Sequence, residues 1–125
     1  MGQRASVLLV EDEPDVQESF KFMLETEGYN VVTADNGRDA LNQLHRGFTP
    51  KLILLDLMMP VMDGFEFRRA QLRDARLAVI PVVVYSGHHD VKANVAQLRA
   101  AAYLQKPVDP DVLLELISTH CAAAR

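Results

Sequence analysis

The chain has 125 residues, a length that suits one ordinary domain and falls short of two. Apolar residues make up 49% and charged residues 24%, which excludes a disordered chain, and a net charge of -4 argues against a protein that grips nucleic-acid backbones. Every apolar run is far below the roughly 20 residues of a membrane span, Met1-Gly-Gln-Arg-Ala5 carries no apolar stretch of the secretory kind, and a single cysteine, Cys121, cannot form an internal disulfide. A cytoplasmic protein with no membrane association and no direct nucleic-acid partner is expected.

Ser6-Val-Leu-Leu-Val10 predicts a short buried strand, followed at once by the acidic run Glu11-Asp12-Glu13. Pro14 suits the first position of a helix, where its missing N–H costs nothing, and Val16, Phe20, Met23 and Leu24 mark one apolar face that Gly28 terminates. Tyr29 to Ala34 predicts a second strand, Asp35-Asn36-Gly37 a turn, and Arg38 to Arg46 a helix with Ala40, Leu41 and Leu44 inward. The third strand, Leu52-Ile-Leu-Leu-Asp56, has no polar alternation, as a strand covered on both faces requires. Pro60 and Asp63-Gly64 break the chain after it, and Phe65 to about Ala75 predicts a helix with Phe65 and Leu72 inward.

Pro81 to Tyr85 predicts a fourth strand, with Ser86-Gly87-His88-His89 as the loop that leaves it. Asp90 can cap a helix that turns Val91, Val95 and Leu98 inward; Ala102 to Gln105 predicts a fifth strand. Lys106-Pro107 leaves that strand, and Asp109-Pro110 opens a last helix with Val112, Leu113, Leu116 and Ile117 inward. Five strands alternating with five helices through short connections predict an α/β, doubly wound parallel sheet, a single domain over residues 1–125 with its core at about 5–120.

In such a sheet the carboxyl ends of all strands share one rim, where ligands bind. The loops after strands one, three, four and five then bring together Glu11 and Asp12, Asp56, Ser86 and Lys106. Clustered carboxylates repel and raise each other's pKa unless a cation neutralises them, and Mg²⁺ suits one or two carboxylates with waters and phosphate oxygens.

These motifs, in this order, resemble the receiver domain of two-component response regulators over nearly the whole chain: Glu11-Asp12, Asp56, Met59-Pro60-x-x-Asp63-Gly64, Ser86 and Lys106-Pro107, with Tyr103 at the aromatic switch position. The resemblance implies a flavodoxin-like topology and an Asp56 nucleophile that accepts a phosphoryl group from a sensor histidine kinase or phosphotransfer protein. It implies Mg²⁺ held by Asp12, Asp56 and the Met58 backbone carbonyl, with Glu11 acting through a water or orienting the site, and Lys106 on a phosphoryl oxygen. Ser86 and Tyr103 are implied as the switch, and the fourth helix, fifth strand and fifth helix as the face that meets a downstream output protein or domain. Receivers often pair through that face when phosphorylated, an option the sequence leaves open. The Lys106–Pro107 bond is implied to be cis.

Three positions depart from the family pattern. Arg99 stands where many receivers have a glycine, Val108 replaces a common phenylalanine, and Met58 offers an attacking water no polar side chain, which implies slow self-dephosphorylation. His88, two residues past Ser86, is a further candidate for tuning phosphoryl lifetime. An aspartate-nucleophile phosphohydrolase would carry a second Asp where Met58 stands, and a flavodoxin's phosphate would be repelled by Glu11-Asp12-Glu13. The remaining alternative is a receiver-fold scaffold that acts without phosphorylation.

Overall fold

The computed structural model describes residues 4–87 and 98–123. Its elements are β1 (Ser6–Val10), α1 (Pro14–Thr26), β2 (Asn30–Ala34), α2 (Gly37–His45), β3 (Leu52–Asp56), α3 (Gly64–Leu72), α4 (Ala75–Ala78), β4 (Val82–Ser86), β5 (Ala102–Gln105) and α5 (Pro110–Ala123). All five strands run parallel in one sheet, in the order β2-β1-β3-β4-β5. The connection from β1 goes outward to β2 and the chain then returns to β3 on the other side. This reversal makes the gap between the ends of β1 and β3 the natural crevice of the sheet.

Strand periodicity divides the core into two layers. Leu8, Val10, Ile53, Leu55, Val82 and Val84 face one side, packed with Ala40, Leu41 and Leu44 of α2, Phe67 of α3 and Leu77 of α4. Val7, Leu9, Leu52, Leu54, Val83 and Tyr85 face the other, packed with Leu24 of α1 and Leu113, Ile117 and Cys121 of α5. Each fully buried leucine contributes about 1.5–3 kcal/mol, so both layers are needed to offset the entropy of ordering the chain.

Local signals set the element ends. Pro14 starts α1, and Gly28, at φ 96°, terminates it. Asn36 caps α2 by accepting from the Asp39 N–H at 2.9 Å. Asp63 and Glu66 form a reciprocal capping box on α3, and Asp109 Oδ1 accepts from the Asp111 N–H at 2.9 Å where α5 begins.

The structure corrects several expectations. The third helix stops at Leu72, and a separate turn of helix, α4, follows where Asp74 caps the Arg76 N–H. Phe65 and Leu72 are only half-buried; the inward side of α3 is Phe67, Arg68 and Gln71. Two of those are polar, and they tie backbone together. Arg68 donates to Leu98 O at 2.7 Å, Arg99 O at 2.9 Å and Gln71 Oε1 at 2.7 Å, while Gln71 Nε2 donates to Leu77 O and Ile80 O. Val112, expected inward, is 42% exposed, because the covered side of α5 runs through Leu113 and Ile117. Ser86 is the last residue of β4 and not part of the loop. The helix expected after Asp90 lies outside the described residues apart from Leu98, which is buried. Arg99 takes φ 52°, the left-handed region that glycine favours, so its backbone is of the kind a glycine adopts.

The loop after β3 is tight and strained. A Cβ on Gly64 would lie 2.7 Å from Leu57 Cα and 2.8 Å from Asp56 O, so the chain passes this point only as glycine. Val61, 70% exposed, sits at φ 68°, a conformation disfavoured for a β-branched residue. Replacing Val61 with Asn, which tolerates this region, should raise stability by about 1 kcal/mol. Gly64→Ala should lower it by about 1–3 kcal/mol. Urea unfolding followed by circular dichroism measures both.

Candidate functional site

Asp56 closes β3 at the crevice and is 2% exposed. Its Oδ1 accepts from the Met58 N–H at 3.2 Å, and its Oδ2 lies 3.8 Å from Lys106 Nζ. Glu11 follows β1 and is fully buried, and Asp12 beside it is half-buried. One carboxylate oxygen from each of Glu11, Asp12 and Asp56 lies within 4.8 Å of the others. The convergence predicted from strand ends is therefore present for these three and for Lys106.

Charge and burial act together here. Loss of solvent, then the Glu11 carboxylate, push Asp56 up to about 7, and the Met58 N–H and Lys106 only partly oppose this. An acid cluster so placed fits a divalent cation: the donors are hard oxygens, the three carboxylates are close enough to surround one ion, and its charge would relieve the repulsion.

Ser86 is fully buried at the end of β4, and its carbonyl accepts from the Lys106 N–H at 2.9 Å, which joins two of the predicted residues through the backbone. The Lys106–Pro107 bond is cis, as implied. Met58 directs its N–H to Asp56 and leaves its side chain half-exposed. Tyr103, opposite Val84 on β5, is half-buried against the α3 side of the core, and its hydroxyl is buried without a hydrogen-bond partner among the described residues. His88 lies outside the described residues.

Two residues of the site are not singled out by the sequence pattern. Tyr85, by its pattern only the last residue of a strand, is fully buried and donates its hydroxyl to Glu11 Oε1. Burial and the Glu11 charge both raise its pKa, so it stays a donor. Gln17 on α1 donates to Glu11 O at 2.9 Å and to Asp35 Oδ1 at 3.2 Å, linking the ends of β1 and β2. A signal for Tyr85 does exist: a tyrosine in an otherwise aliphatic buried strand needs a partner for its hydroxyl.

Residues 7–118 match the family model of the response regulator receiver domain. The chain belongs to that family. Among its relatives, Protein PilH of Pseudomonas aeruginosa is 35% identical over 120 residues, covering 94% of this chain and 98% of PilH. The phosphate regulon transcriptional regulatory protein PhoB of Escherichia coli is 35% identical over 113 residues, which are 89% of this chain and 49% of PhoB. A response regulator receiver protein from Pseudomonas putida superposes with a TM-score of 0.87 at 31% identity, covering 95% of this chain and 99% of that one. The receiver is thus a module of two-component systems, and no helix among its described residues is long and apolar enough to cross a membrane.

The raised pKa of Asp56 carries a sign for stability. Because it exceeds the value of about 4 expected in the unfolded chain, ionising Asp56 disfavours the folded receiver. Its contribution is whole below about pH 4 and is lost as pH rises through about 7. Asp56→Asn should therefore stabilise the metal-free receiver by on the order of 1–3 kcal/mol above neutral pH, with the gain shrinking toward about pH 4. Urea midpoints across pH in the presence of a chelator measure it.

Proposed function

We propose that this receiver accepts a phosphoryl group on Asp56 from a phosphohistidine of a sensor kinase or phosphotransfer protein, in a Mg²⁺-dependent reaction, and thereby changes a partner-binding face. The observation that carries this reading is the Asp56 carboxylate held between two acidic neighbours and the Lys106 ammonium at the crevice of the sheet. An ionised Asp56 oxygen attacks phosphorus; as the new P–O bond forms, the P–N bond breaks and the imidazole nitrogen keeps its electron pair. The product is an acyl phosphate.

The residues around Asp56 have separate tasks. Lys106 offsets charge on the phosphoryl oxygens, and the Met58 N–H holds the carboxylate in line. Mg²⁺, held by Asp12, Asp56 and the Met58 carbonyl with Glu11 acting through a water, would neutralise the oxygens of the entering group. Ser86 supplies a hydroxyl to the charged site. Because its carbonyl accepts from the Lys106 N–H, a shift of one is transmitted to the other.

The change is carried outward to β5 and α5, where Tyr103 is half-buried and Val112 is exposed. Downstream partners read that face, and the kinase and receiver meet in the cytoplasm. The chain acts as an acceptor that can phosphorylate and dephosphorylate itself, not as a turnover enzyme, since Met58 stands where a phosphohydrolase needs a second Asp.

Intact mass after incubation with acetyl phosphate should show one phosphoryl adduct that requires Mg²⁺ and disappears in Asp56→Asn. Loss of both this adduct and a beryllofluoride complex would favour a scaffold acting without phosphorylation. The half-life of the adduct should be long. Met58→Asn, which places a polar group beside the path of the attacking water, should shorten it several-fold in a time course of phosphate release.

A further inference from the structure

Glu11 is fully buried next to another carboxylate, and a charge in that position persists only if donors compensate it. Among the described residues two donors reach it, one on each oxygen. The Glu13 N–H lies 3.0 Å from Oε2, and the Tyr85 hydroxyl bonds to Oε1. The first belongs to the loop that carries Glu11 itself. The second arrives from β4, across the width of β3.

Tyr85 has little freedom to move. Its backbone pairs opposite Asp56, its carbonyl accepts from the Leu57 N–H at 3.2 Å, and Phe20 of α1 packs edge-on against its ring with centroids 5.3 Å apart. Lys106 Nζ stands over the same ring at 5.3 Å from its centroid. One rigid side chain thus touches the acidic side of the site with its hydroxyl and the basic side with its face.

We propose that Tyr85 is a positioning residue for cation binding: its hydroxyl fixes Glu11 as an outer-sphere acceptor, leaving Asp12 and Asp56 to meet the cation directly. Each carboxylate oxygen has two lone pairs, so Oε1 can accept from the tyrosine and still accept from a water of the hydrated ion. Partners that orient a ligand in this way typically account for about 10–100-fold in metal affinity. The inference rests on reading the carboxylate cluster as the Mg²⁺ site.

Tyr85→Phe keeps the ring, its contact with Phe20 and its place beneath Lys106, and removes only the donor. Mg²⁺ affinity, measured by isothermal titration calorimetry on the unphosphorylated receiver, should fall by about tenfold or more. A merely structural tyrosine would lower the unfolding midpoint in chelator and leave Mg²⁺ affinity unchanged, and unchanged or tighter binding overturns the proposal. A second comparison removes the dependence on a folded single variant. With Glu11→Gln as background, adding Tyr85→Phe should leave Mg²⁺ affinity where Glu11→Gln alone puts it, because the tyrosine acts through that carboxylate. A further loss would overturn it. If the wild-type receiver takes up no Mg²⁺, the metal reading falls and this inference with it; equal binding by wild type and Tyr85→Phe removes the role of Tyr85 alone.

Discussion

Two carboxylates that repel each other, Glu11 and Asp56, are kept close together out of water, and much of the fold is devoted to holding them there. Neither could be brought in alone without cost, since a buried charge disfavours the folded state unless it is compensated. The sheet order sets β1 beside β3, so the chain delivers one acid at each strand end. Compensation then comes from outside those two strands: Lys106 from the end of β5, the hydroxyl of Tyr85 from β4, and backbone N–H groups of Met58 and Glu13. What remains uncompensated appears as the raised pKa of Asp56, a site poised to gain from a cation.

That arrangement demands stiffness in the backbone that leaves Asp56. Gly64 comes within van der Waals reach of Leu57 and Asp56, and its N–H donates to Leu57 O at 3.0 Å, closing the loop back on the strand that made it. The capping box of Asp63 and Glu66 then starts α3 without slack. Farther along the helix, Arg68 and Gln71 anchor Leu98, Arg99, Leu77 and Ile80 by their carbonyls. Those four residues border the entries to β4 and β5, so α3, which follows the strand that ends at Asp56, is tied to the strands that carry Ser86 and Tyr103 and lead to Lys106. The left-handed Val61 is a local strain that this tight turn tolerates.

Much of this is legible in the residue pattern alone. Asp56, Glu11, Asp12 and Lys106 can be placed from it because parallel strands all end on one rim, and strands are easy to recognise when they are short, apolar and bounded by Gly, Pro and Asp. The α3 side of the core is harder. Its buried residues include an arginine and a glutamine, and periodicity assigns such residues to solvent, so it favours Phe65 and Leu72 over Arg68 and Gln71. Val112 misleads for the opposite reason: it is apolar and lies in helical phase with Leu116, yet nothing among the described residues covers it enough to bury it.

By itself, then, the sequence determined the strand–helix alternation, the layers of the sheet and the residues that gather at its carboxyl rim, because these follow from local patterning and from the handedness of parallel connections. Only the tertiary structure decided how those residues are compensated. Whether Tyr85 faces Glu11 depends on register between β3 and β4, on the packing of Phe20 against its ring and on the position of the loop after β1. Such pairings join residues 74 positions apart, and a hydrogen bond over that separation leaves no trace in the spacing of either partner.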